Sequence, residues 1–174
     1  MNKYLPDIYQ KNIYNINYNY LKEKGIKCII FDLDNTLVLI DEVEASLEVK
    51  NLIEKLKKDF IVLIVSNSPK KRVSLFAKQL NIETYSFALK PSIRTLKQIK
   101  KKYNLQSSDI AIIGDQFITD MGYGYKGKIT KIFVDSIGPK DLKITDISRF
   151  IEKKIMNKYA NHNLFKKGIY YDKR

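Results

Sequence analysis

Cysteine occurs once in this chain, at position 28, so no intrachain disulfide can form. Cys28 opens onto an apolar run, where a thiol is a small, buried, inert hydrophobe rather than a reactive group. Histidine is equally scarce: His162, set between Asn161 and Asn163 near the C-terminus, reads as a surface residue, and chemistry must rest on other groups. Only four of the 32 basic residues are arginines, which argues against nucleic-acid binding built on arginines interleaved with stacking aromatics. No apolar run approaches the ~20 residues needed to cross a bilayer. The N-terminal MNKYLPDIYQK lacks a signal-peptide core, so the protein is expected to stay in the cytoplasm. There is no internal repeat, low-complexity block or Pro/Ser linker, and residues 1–174 are expected to form a single domain.

What is present fits a soluble protein with a sizeable core, since 44% of the 174 residues are apolar and 29% charged. The net charge of +13 comes with abundant lysine, isoleucine and asparagine, the residues of AAA, ATA and AAT codons in an AT-rich genome. Codon usage therefore accounts for part of the basicity. The distribution is nonetheless uneven: residues 68–103 carry ten basic side chains against one acidic, Glu83. A field of that sign attracts phosphate esters and anionic surfaces.

Short apolar runs at 27–31 (KCIIF), 61–65 (IVLIV), 84–87, 110–113 (IAII) and 131–134 (KIFV) read as buried strands. Between them lie helical stripes. One covers 44–58, with Leu47, Leu52, Ile53 and Leu56 on its face. Another opens after Ser68-Pro69, an N-cap followed by proline at the first helical position; Val73, Phe76, Ala77 and Leu80 form its face. A third, capped by Ser92, carries Ile93, Leu96 and Ile99. A last amphipathic helix runs from about 146 to 158 with Ile147, Phe150, Ile151 and Ile155 inward. Strands alternating with helices predict right-handed crossovers around an open, doubly wound parallel sheet, an α/β fold.

In such sheets ligands bind beyond the carboxyl ends of the strands. The first strand is followed by Asp32-Leu33-Asp34-Asn35-Thr36, the second by Ser66-Asn67, and the third by Lys90-Pro91. After the fourth comes Gly114-Asp115, with Asp120 five residues on. Polar groups at four strand ends can converge on one crevice, and that convergence carries more weight than any single segment. Carboxylates there suit a hard cation, and a lysine and a hydroxyl suit a phosphoryl group.

These segments, DLDNT, the serine closing IVLIVS, Lys90 and GDQFITD, resemble in order the four motifs of the haloacid dehalogenase superfamily of phosphatases, over roughly residues 26–136. The resemblance implies a Mg²⁺-dependent phosphomonoesterase in which Asp32 attacks phosphorus to give an aspartyl-phosphate. Asp34 would be the general acid and base and would also offer its backbone carbonyl to the metal. Ser66, Asn67 and Lys90 would hold the phosphoryl group, and Asp32, Asp115 and Asp120 would complete the metal ligands. Asn35 and Thr36 are expected to shape the loop. Two distinct roles for Asp32 and Asp34 require the chain to bend immediately after Asp32.

Members of this superfamily often insert a cap domain between the first and second or the second and third motifs. Residues 37–60 and 67–89 each have room for only a loop and a helix, so no cap domain is expected and the site should stay open. The segment 1–25, rich in tyrosine (Tyr4, Tyr9, Tyr14, Tyr18, Tyr20), and the segment 137–174 flank the core. With the N-terminal segment the chain resembles the capless subgroup IIIA, in its YqeG-like branch related to phosphatidylglycerophosphate phosphatases. That implies a lipid phosphate substrate and a peripheral association with the inner membrane face. Tyrosines packed over the sheet are the simpler reading of the flank. Two alternatives stand beside it: a phosphatase of soluble sugar phosphates, nucleotides or nucleic-acid ends, and a binding protein that has lost catalysis.

Overall fold

The computed structural model describes residues 3–138 and 146–172, with the side chains of 146–149 excluded. Six strands, β1 (Ile8–Gln10), β2 (Cys28–Phe31), β3 (Ile61–Val65), β4 (Glu83–Tyr85), β5 (Ile110–Gly114) and β6 (Thr130–Val134), form one sheet. Their order is β1-β6-β5-β2-β3-β4, and every neighbouring pair is parallel. The helices are α1 (Tyr18–Glu23), α2 (Leu47–Leu56), α3 (Lys70–Leu80), α4 (Arg94–Tyr103), α5 (Gly122–Gly127) and α6 (Asp146–Asn161).

Successive strand residues point to opposite faces, and both faces are covered. Ile29, Phe31, Val62, Ile64, Ala111 and Ile113 pack with Val49, Ile53 and Leu56 of α2 and Val73, Phe76 and Leu80 of α3. Cys28, Ile30, Leu63, Val65, Ile110 and Ile112 pack instead with Leu96 and Ile99 of α4 and Tyr123 of α5. Each such aliphatic side chain removed from water contributes about 1.5–3 kcal/mol, and burial on both faces is why these central strands are continuous apolar runs. Cys28 is fully buried, and burial pushes its thiol up to about 12, as befits an inert residue. The doubly wound parallel sheet expected from the sequence is the fold observed.

The differences are local. The three-residue β1 escapes a periodicity argument, yet it pairs with β6 through Ile8, Tyr9 and Gln10. Helix α2 starts later than expected: Ser46 accepts the Val49 N–H at 3.3 Å, which leaves Leu47 exposed and puts Val49 in its place. Pro69 itself occupies the cap position of α3, because the Ser68 hydroxyl donates to Asp34. Ser92 caps nothing; Ile93 precedes α4 without a side-chain cap. Strand β4 stops at Tyr85, since Phe87 lies at φ 47°, outside any strand conformation. On α6, Phe150 and Ile151 are exposed while Glu152 and Tyr159 are buried. The helix is turned so that the Glu152 carboxylate accepts the Phe117 N–H at 3.1 Å. Ile147 lies outside the described side chains.

The intervals in question are short. Between β2 and β3 there is a loop and α2, and between β3 and β4 only α3. Among the N-terminal tyrosines, Tyr9 is fully buried and Tyr18 and Tyr20 are partly packed on the core, whereas Tyr14 is exposed. His162 is exposed, as expected.

Candidate active site

Because all six strands are parallel, their carboxyl ends share one edge, and β2, β3 and β5 are adjacent there. Asp32 leaves β2 with its N–H bonded to the Ile113 carbonyl at 2.9 Å. The chain then bends at once. Leu37 and Val38 both donate to the Leu33 carbonyl, at 2.9 and 3.2 Å, and Asn35 takes a left-handed φ of 61°. Asparagine tolerates that conformation better than most residues. The bend expected immediately after Asp32 is therefore present.

The Lys90 ammonium lies 2.7 Å from Asp32 Oδ1 and 2.6 Å from Asp120 Oδ1, and its side chain is 1% exposed. Burial by itself would lower the Lys90 pKa, but Asp120 and Asp32 together hold it above the ordinary lysine value. Asp32 is pushed up to about 7, chiefly by burial and further by Asp120, with Lys90 opposing both. Asp115 is raised as well, by burial first and then by Asp32 and Asp120. Asp32, Asp115 and Asp120 each offer a carboxylate oxygen, and these oxygens all lie within 4.8 Å of one another. Three carboxylates crowded this closely, two of them resisting ionisation, are a donor set that a hard divalent cation would satisfy.

The remaining predicted residues converge on the same place. A cleft of about 60 Å³ is lined by Asp32, Asp34, Ser66, Asn67, Ser68, Lys90, Gln116 and Thr119. Ser66 is buried, and its Oγ accepts the Ser68 N–H at 3.1 Å, which leaves its own hydrogen free to donate. Both ends of the Asn67 amide bond Lys90: Nδ2 donates to its carbonyl at 3.2 Å, and Oδ1 accepts its N–H at 2.7 Å. Asn67 thus fixes the backbone from which Lys90 reaches inward. Thr36 donates to Asp115 at 3.3 Å, a loop-shaping contact. The carboxamide oxygen of Asn35 is buried without a partner. Gly114 is dictated by space, because a Cβ there would come within 2.3 Å of the Asp120 carboxyl carbon.

Two neighbours of Asp34 are not among the site residues expected from the sequence, which reads Ser68 only as a helix cap and gives Arg72 no role. Arg72 Nε donates to Asp34 Oδ1 at 2.6 Å, and the Ser68 hydroxyl donates to Oδ2. The other guanidinium nitrogens reach the Glu42 and Leu39 carbonyls at 2.6 and 2.8 Å, tying the loop after β2 to α3. The signal was available: in a chain whose cations are nearly all lysines, an arginine marks a place where a planar, multiply donating group is needed.

The chain is 36% identical over 155 residues to a protein of Bacillus subtilis (strain 168) named Probable phosphatase YqeG, covering 88% of this chain and 90% of that one. It is 24% identical over 143 residues to phosphatidylglycerophosphate phosphatase 1, chloroplastic/mitochondrial, of Arabidopsis thaliana, covering 76% of this chain and 41% of that protein. In fold it resembles 3-deoxy-D-manno-octulosonate 8-phosphate phosphatase of Moraxella catarrhalis, solved with magnesium, phosphate and the sugar acid. The TM-score is 0.52 at 17% identity, over 83% of this chain and 98% of that one. A HAD family enzyme of Bacteroides thetaiotaomicron, solved with magnesium and inorganic phosphate, superposes with a TM-score of 0.56 at 12% identity, over 67% of this chain and 98% of that one. Residues 1–137 match the family described as mitochondrial PGP phosphatase. The protein therefore belongs to that family, and it is a phosphatase with the haloacid dehalogenase fold.

Proposed function

We propose that the protein is a Mg²⁺-dependent phosphomonoesterase acting through an aspartyl-phosphate, with phosphatidylglycerophosphate as its substrate. The observation that carries this reading is the buried Lys90 ammonium held between Asp32 and Asp120 beside Asp115. The catalytic core is read as residues 26–136, with the two flanks packed on it. The cytoplasmic face of a membrane is the place of action.

Asp32, Asp115, Asp120 and the Asp34 carbonyl would hold the cation, whose charge would relieve repulsion between the attacking carboxylate and a dianionic ester. An Asp32 carboxylate oxygen attacks phosphorus as the bond to the leaving alkoxide breaks, and Asp34 donates a proton to that oxygen. Asp34 then takes a proton from water, whose oxygen attacks phosphorus and frees Asp32 and inorganic phosphate. Lys90 and the free Ser66 hydrogen stabilise charge on the phosphoryl oxygens. Arg72 and Ser68 position Asp34 at the mouth of the cleft, and Asn67 positions Lys90.

The lipid substrate is supported by the relationship to the plant phosphatidylglycerophosphate phosphatase and by the short intervals from β2 to β3 and from β3 to β4, which hold no inserted domain. The test is phosphate release with magnesium from phosphatidylglycerophosphate, glycerol 3-phosphate, sugar phosphates and nucleotides. The lipid is expected to be turned over fastest, and Asp32→Asn to abolish release while its circular dichroism stays native. Faster turnover of a soluble ester would replace the lipid reading. Undiminished activity of the asparagine variant would overturn the nucleophile.

A further inference from the structure

The segment joining β4 to α4 alternates in burial: Phe87 is exposed, Ala88 buried, Leu89 exposed and Lys90 buried. The inward pair builds the site, with Lys90 reaching the nucleophile. The outward pair is unusual. Phe87 is 59% and Leu89 73% exposed, and both lie in the left-handed region, at φ 47° and 53°. A single exposed leucine needs no explanation, but bulky side chains at positive φ are uncommon, and strain held on a loop beside a site points to function. The loop is also anchored rather than loose. Phe87 N–H bonds the Ser68 carbonyl at 3.1 Å, Ala88 N–H the Ser66 carbonyl at 3.0 Å, and Ser92 N–H the Leu89 carbonyl at 2.8 Å. Two apolar side chains are thereby displayed on a fixed platform at the rim of the cleft.

Their surroundings are positive. Exposed Lys70 and Lys71 begin α3 and exposed Arg94 and Lys97 lie in the first turn of α4. Both helix starts follow strand carboxyl ends, so these cations lie on the same edge as the cleft. Apart from the aspartates of the cleft itself, the acidic side chains of that edge belong to the loop after β2 (Asp41, Glu42 and Glu44) and to the end of β6 (Asp135). Among the described residues, the positive, apolar-tipped half is the β3–β4 side.

We propose that this half of the edge is a membrane-docking face: Phe87 and Leu89 insert among the acyl chains of an anionic bilayer, and Lys70, Lys71, Arg94 and Lys97 pair with its headgroups. The inference rests on the lipid-substrate reading for its biological purpose, and its physical content is independent of it. Apolar wedges ringed by lysines are what an anionic lipid surface accepts. A stable protein interface takes roughly 20–30 residues a side, and two apolar tips on a charged rim do not supply its core. Docking there would hold the cleft at the headgroup layer, with Lys90 directly beneath the inserted residues.

The chain has no tryptophan, so Phe87→Trp gives a single fluorophore on the loop. With vesicles of equal parts phosphatidylglycerol and phosphatidylcholine at low salt, its emission should shift to the blue and be quenched by brominated acyl chains. Phosphatidylcholine alone should give neither effect. The double variant F87A/L89A should sediment with the mixed vesicles about tenfold or more less well, while hydrolysing p-nitrophenyl phosphate like the wild type. Emission unchanged by vesicles that do sediment the protein would overturn the proposal in favour of another face. Wild type that fails to sediment at low salt, or F87A/L89A that sediments undiminished, would overturn it outright. A blue shift together with no turnover of phosphatidylglycerophosphate would leave the docking face standing and remove the lipid substrate.

Discussion

Lys90 is enclosed by the two carboxylates that it neutralises, so its importance appears in what its removal leaves behind. Lys90→Met would leave Asp32 and Asp120 buried without a counter-ion, and breaking a buried pair in this way costs about 3–5 kcal/mol. If the same carboxylates hold a divalent cation, magnesium should take over part of the neutralisation. Thermal unfolding of the variant should then fall well below wild type in chelator and recover part of the gap in magnesium. An equal deficit in both conditions would count against shared ligands. Phosphate release should be lost in either case. At this scale the sequence was informative where chemistry follows directly from a strand end: Asp32, Ser66, Lys90, Asp115 and Asp120 all meet in space. It read Ser68 only as a helix cap and named no partner for Arg72, and the contacts of both with Asp34 bridge 34 and 38 residues of chain. Partners that distant are set by how α3 lies on the sheet, which no local pattern encodes.

Among the elements, β5 and the turn after it show how closely backbone and site are matched. Gly114 ends the strand with no room for a side chain beside Asp120. Gly114→Ala should therefore push the Asp120 carboxylate away from Lys90, with an overpacking cost of about 1–3 kcal/mol. The expected result is a higher magnesium requirement, read from activity against magnesium concentration; an unchanged requirement would show that Asp120 is not held by this contact.

At the opposite edge, β4 is tied to α4 through Glu83, which accepts from Tyr85 and Tyr103 at 2.6 Å each and also from Lys102. Burial alone would raise the Glu83 pKa, but these donors outweigh it and hold the carboxyl down at about 2. A depressed pKa gives stability that is present above the ordinary glutamate value of about 4.3 and lost as pH falls toward 2. Denaturant unfolding should show wild type more stable than Glu83→Gln at pH 6, with the difference closing between about pH 5 and 2. With Lys102 55% exposed the contribution is screened, on the order of 1 kcal/mol. Strands β2, β3, β5 and β6 were legible because both their faces are buried and their composition is uniform. The short β4 was placed at 84–87 because apolar character continues through Phe87, where the backbone has already turned outward.

Across the whole molecule, the N-terminal and C-terminal segments meet behind the turn that carries Asp120. Tyr9 of β1 bridges Tyr171 in antiparallel fashion, donates its hydroxyl hydrogen to Asp135 at 2.7 Å, and accepts the Gly168 N–H at 3.1 Å. Phe165 packs edge-on against Phe117, 5.2 Å between centroids, and against Phe133 at 5.8 Å. Phe117 and Met121 lie in the turn Phe117–Met121 that carries Asp120, and both belong to the same buried cluster as Phe165. The tail therefore backs the turn. The sequence suggested only that the flanking tyrosines pack on the core. The contacts themselves join residues near 9, 117 and 165 that share no periodic pattern. Of the predicted α6 face, Ile155 packs on this cluster while Phe150 and Ile151 are exposed. Phe165→Ala should destabilise the protein by about 3–5 kcal/mol, the usual result of deleting a buried phenylalanine. It should also loosen the turn, so that half-maximal activity needs more magnesium while the rate at saturating magnesium stays close to wild type. Asp32, Asp34 and Lys90 keep their own supports in that variant, from β2, α3 and Asn67. A lower rate at saturating magnesium with an unchanged magnesium requirement would mean that the tail acts on the chemistry itself rather than on the turn.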